Sequence, residues 1–139
     1  MAISQALCTS FKSELLGGTH DLDTDVIKIA LYTSSATLSA ATTAYSSSNE
    51  VSGTGYTATG NTLSGAAISV DGTTAIVDFS DTTWASATIT ARGALIYNSS
   101  KANRAIAVLD FGGDKTSTNG DFTIQFPAAA AATAIIRIA

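Results

Sequence analysis

The densest group of ligand-type side chains is His20-Asp21-Leu22-Asp23-Thr24-Asp25, where three carboxylates at alternate positions follow the chain's one imidazole. A calcium ion needs several such oxygens on a looping backbone. The EF-hand pattern also demands a glycine at the sixth loop position and a bidentate acid at the twelfth. Counting from Asp21, those places hold Val26 and Tyr32. The segment therefore reads as a solvated turn entering a strand. Gly53-Thr54-Gly55 and Gly60 lack both the G-x-G-x-x-G spacing and the lysine of a phosphate loop. Neither a metal nor a cofactor is expected.

Catalytic groups are sparse. Serines abound, but a hydrolase triad needs an imidazole beside its nucleophile, and His20 sits in an acidic turn. No spacing pairs Glu14, Glu50 or the aspartates for glycoside chemistry. The lone Cys8 lies among apolar neighbours and reads as a small buried hydrophobe. Enzymatic activity is not expected.

Contact chemistry is better represented. From Thr33 to Leu63 the chain is Ser, Thr, Ala and Gly with isolated aromatics, longer than an ordinary connection. Tyr45 and Tyr56 bracket a polar run that contains Glu50, and tyrosines on an adaptable polar loop are common ingredients of a contact surface. Tyr45, Glu50 and Tyr56 are therefore the candidate protein-contact residues. The competing reading is that both rings close over the edge of a sandwich.

A mainly β framework must position these groups. Ile3, Leu7, Phe11 and Leu15 recur at helical spacing, which predicts a helix over residues 2–16 stopped by Gly17-Gly18. Val26 to Tyr32 is the clearest early strand. Asp71-Gly72 lies between two apolar runs and predicts a hairpin over residues 66–80 with a type I′ turn. Trp84 follows as a core plug. Residues 90–126 read as a three-stranded meander, with turns at Asn98 to Asn103 and at Gly112 to Gly120. In its last strand Phe122, Ile124 and Phe126 share one face. Pro127 ends the meander, the alanines from Ala128 to Ala132 form a turn or bulge, and residues 135–138 return as a closing strand.

With 139 residues the chain fits one domain. The expected architecture is an antiparallel β-sandwich of about seven or eight strands with one N-terminal helix. A formal net charge of −4 argues against binding a phosphate backbone. No apolar run is long enough to span a membrane, and the start lacks the pattern of a signal peptide, so cytoplasmic synthesis is expected.

Three strings in the second half resemble a small virion structural protein family of tailed bacteriophages. They are Thr90-Ala91-Arg92-Gly93-Ala94-Leu95-Ile96-Tyr97, Ala107-Val108-Leu109-Asp110-Phe111-Gly112-Gly113-Asp114-Lys115 and Thr118-Asn119-Gly120-Asp121-Phe122-Thr123-Ile124-Gln125-Phe126. The resemblance extends more weakly to Trp84, to Glu50-Val51-Ser52-Gly53-Thr54-Gly55-Tyr56 and to the N-terminal segment. It departs from the family at Phe126-Pro127 and the alanines that follow. It implies a component of the virion, made in the host cytoplasm. That component would be a capsid decoration or cement protein, or else a tail fibre, adhesin or neck component. Its implied partners are the major capsid protein or tail proteins, and further copies of itself in a homo-oligomer. From another class, an extracellular carbohydrate-binding module would require solvent-facing rings at Tyr45, Tyr56 or Trp84.

Overall fold

The computed structural model describes residues 2–138. The elements run β1 (Ala6–Leu7), α1 (Thr9–Leu16), β2 (Ile27–Tyr32), β3 (Asn61–Thr62), β4 (Ala67–Asp71), β5 (Thr74–Asp78), β6 (Thr82–Asn98), β7 (Arg104–Ile124) and β8 (Ile136–Ile138). Two antiparallel sheets result, a five-stranded one in the order β1-β7-β6-β2-β3 and a three-stranded one in the order β4-β5-β8. The architecture is mainly β and sandwich-like, with one short helix near the N-terminus.

β2 lies between β6 and β3 and is covered on both faces: Ile27, Ile29, Ala30, Leu31 and Tyr32 are all buried and Lys28 is half-buried. It pairs with the end of β6, Ile29 opposite Ile96 and Leu31 opposite Ala94. The small sheet joins the same core through Val77, Phe79 and Ile136, which cluster with Trp84, Phe122 and Ile124 from the long ribbon.

Four expectations are corrected. The helix begins at Thr9 rather than at residue 2. Ile3 bridges Leu38, and Ala6 and Leu7 pair with Val108 and Ala107 at the edge of β7. Sheet pairing satisfies the backbone and buries Ile3, which outweighs a helical stripe carried by few residues.

The meander is instead one long hairpin. Gly112 to Gly120 does not turn the chain but continues β7 alongside the first half of β6, with Thr90 opposite Thr116 and Trp84 opposite Phe122. Register shifts, one of them between Ala91 and Gly93, absorb the mismatch as bulges. The β-branched threonines in this polar stretch favour continued pairing.

The hairpin over residues 66–80 forms, but its turn is Gly72-Thr73, because Asp71 pairs with Thr74. Only Gly72, at φ 64°, has a positive φ there, which is the pattern of a type II′ turn rather than type I′. The expected turn from Asn98 to Asn103 does connect β6 to β7, with Ala102 and Asn103 left-handed at its tip. The closing strand starts one residue later than expected, at Ile136.

Candidate functional site

Three groups of residues stand out, two internal and one on the surface. The first contains the sequence candidates. Glu50 lies in a loop that bridges Tyr32, and its carboxylate accepts hydrogen bonds from the hydroxyls of Tyr45 and Tyr56, each at 2.5 Å, and from the Thr59 N–H at 2.9 Å. The Tyr56 hydroxyl in turn accepts from the Leu31 N–H at 3.0 Å. Tyr32 donates to the Ser46 carbonyl at 2.6 Å, and Tyr97 donates to the Thr59 carbonyl at 2.7 Å while its ring stacks on Tyr45. All four tyrosines of the chain thus fasten residues 33–63 to the sheet.

Burial, followed by the bond to Glu50, raises both the Tyr45 and the Tyr56 hydroxyl well above the ordinary phenol range. Burial likewise pushes Tyr97 up to about 12. These hydroxyls are donors that stay protonated.

Thr59 shows how tightly the cluster holds its loop. It adopts φ 83°, a strained value for a β-branched residue, with its N–H, carbonyl and hydroxyl taken by Glu50, Tyr97 and Lys28. Gly60 then passes so close to β2 that a Cβ there would overlap the Ile29 carbonyl oxygen. Structure therefore brings Tyr45, Glu50 and Tyr56 together, in an inward-facing cluster. Tyr56 is buried and Trp84 lies in the core between Tyr56 and Phe122, so neither ring faces solvent.

The second group corrects the reading of the acidic turn as wholly solvated. The His20 side chain is fully buried, against the Phe11 ring. Its Nε2 lies 2.9 Å from Glu14 Oε1 and its Nδ1 lies 3.0 Å from Asn98 Nδ2, which also donates to Asp25. Lys101 closes on Asp25 and Arg104 on Glu14, completing a chain of polar contacts from helix to hairpin.

The side-chain amide of Asn98, the Asp21 N–H and Lys101 hold the Asp25 carboxyl down to about 2. Burial pushes the Glu14 carboxyl up, but the bonds from His20 and Arg104 outweigh it and leave it below its ordinary value. Asp21 caps its own turn by accepting from the Asp23 and Thr24 N–H groups. Among the described residues, no three His, Cys, Asp or Glu side chains converge as metal ligands. No helix among them is long and apolar enough to cross a membrane.

The third group is on the surface. Every residue of β4 is exposed, including Ile68 at 56% and Val70 at 70%. The register places Val70, Ala75 and Ile138 in one row across the small sheet and Ile68, Val77 and Ile136 in the next, all on one face. Ile138 is 51% exposed. Beside this face a cleft of about 350 Å³ runs toward the end of α1, lined by Leu15, Leu22, Ile68, Val77, Ile136 and Ile138.

This face escaped sequence reasoning, because alternation in β4 marks which residues share a side and not whether another layer covers it. Its available signal was Asp71-Gly72 at the tip of a short apolar hairpin. Comparison with family models, with characterised proteins and with solved structures finds no match to this chain.

Proposed function

We propose that the chain is a virion structural protein of a tailed phage, acting as a decoration or cement protein that holds neighbouring shell subunits together by protein contacts. The observation that carries the reading is the apolar face of the small sheet. Ile68 and Val70 lie exposed on β4 and Ile138 on β8, across Ala75 of β5, while Glu50 with its tyrosines and His20 are engaged inside the fold. Contiguous apolar surface of this kind marks an interaction site on a soluble chain. The resemblance of the strings between Thr90 and Phe126 to tailed-phage structural proteins supports the same direction.

The mechanism is mass action. A ligand that binds only the assembled shell stabilises it in proportion to its own binding free energy. Burying the apolar face against capsid subunits supplies part of that energy. The fastened loop of residues 33–63 keeps the rest of the surface from rearranging on contact.

Adding the purified chain back to particles that lack it tests this. Saturable binding to the shell and a higher temperature of particle disruption are expected. No binding to shells, or binding confined to tails, would overturn it.

A further inference from the structure

We infer that the free edge of β4 is the joint between two copies of this chain, which pair β4 to β4 antiparallel about a two-fold axis at Ser69. The inference deepens the assembly reading above and rests on it for the high local concentration of copies that a small joint needs.

Hydrogen-bond parity decides which backbone groups of β4 are left free. Asp71 and Thr74 flank a two-residue turn, so they exchange both backbone bonds, and the pattern alternates back along the strand. Asp71, Ser69 and Ala67 therefore direct their N–H and C=O groups at β5. Val70 and Ile68 direct theirs outward, where β4 has no second neighbour in its sheet among the described residues.

Natural edge strands are usually blunted by lysine, proline, a bulge or a covering segment. Ala67-Ile68-Ser69-Val70-Asp71 has no lysine or proline, pairs with β5 in unbroken register and is exposed at every position.

A second copy fits this edge better than an arbitrary strand because the segment is symmetric about Ser69. Antiparallel pairing at that centre sets Ile68 opposite Val70 of the second copy, and Val70 opposite its Ile68. Each of these pairs exchanges two backbone bonds and extends the apolar face across the joint.

Charge selects the same orientation. Asp71 is the one charged residue of β4, and the antiparallel arrangement puts the two copies of it at opposite ends, each facing Ala67. A parallel pairing would set them side by side. The result is a continuous six-stranded sheet in the order β8-β5-β4-β4-β5-β8 with isologous contacts. Five residues a side fall well short of the ~800 Å² per partner of a stable interface. The pair is therefore weak in dilute solution and fills where copies are held together.

Disulfide trapping reads a weak pair directly. Ser69 meets its own copy as a non-hydrogen-bonded pair with Cα atoms about 4.5 Å apart, within the range a disulfide spans. The native Cys8 is buried and does not compete. Under mild oxidation at high protein concentration, S69C should form covalent dimer at least about tenfold faster than S34C, an exposed control.

V70P removes an outward donor without touching the β4–β5 bonds, so S69C/V70P should lose that advantage. If V70P does not fold, I68K serves in its place by setting a charge against Val70 of the second copy, with the same loss expected. Cross-linking of S69C no faster than S34C, or undiminished in the double variant, would overturn the inference. A chain that still binds and stabilises shells while S69C fails to cross-link would leave the assembly reading standing and remove only this joint.

Discussion

Glu50 is the residue on which the long loop depends. Its carboxylate receives two tyrosine hydroxyls and one backbone N–H, drawn from segments on either side of it, and the strained Thr59 sits directly in that grip. E50A would leave three donors without an acceptor, two of them on largely covered rings, and is expected to cost about 3 kcal/mol. E50Q retains one acceptor oxygen and should cost less. Denaturant unfolding gives the first number, and limited proteolysis shows where it acts. E50A should become cleavable within residues 33–63 while the β6–β7 ribbon stays resistant. Unchanged stability and protection in E50A would contradict the role assigned to this cluster. The three residues were visible in the sequence as an aromatic and acidic set in one loop. Their inward direction was not, because a tyrosine serves equally well as a surface contact or as a hydrogen-bonded edge plug.

Between elements, a polar chain with His20 and Asn98 buried at its centre runs from Arg104 through Glu14, His20, Asn98 and Asp25 to Lys101 and ties α1 and the turn before β2 to the β6–β7 hairpin. Asp25 and Glu14 both titrate below their ordinary values in the folded chain. The stability they contribute is fully present above the ordinary carboxylate range. It is lost for Asp25 as pH falls from about 4 toward about 2. Unfolding free energy measured against pH should therefore fall through that window. D25N should be less stable at neutral pH and fall less steeply. An identical acid slope in wild type and D25N would contradict the linkage.

No sequence rule finds this network, since Asn98 lies 78 residues from His20 and 73 from Asp25. Local patterns fared better where they were short. Alternation in Val26 to Tyr32, the Asp71-Gly72 hairpin and the Asn98 to Asn103 turn all correspond to observed elements. Longer extrapolations failed for a common reason. The helical stripe before Thr9 and the supposed turn from Gly112 to Gly120 were both overridden by an available strand edge, which neither helical spacing nor a cluster of turn residues registers.

As a whole molecule the chain divides its labour between a fastened interior and a small sheet that is buried along part of β5 and β8 but exposed along β4. The five-stranded sheet carries the tyrosine-pinned loop and the His20 network, which leave little of its polar chemistry free. The three-stranded sheet offers exposed Ile68, Val70 and Ile138 and an unblunted edge. That asymmetry suits a component whose task is to join other surfaces. The most direct test is the copy number of this chain relative to the major capsid protein in purified particles, by quantitative mass spectrometry. If the chain decorates the shell as proposed, its copies should be comparable in number to capsid subunits or capsomers. A ratio far below that, or absence from the particles, would contradict it.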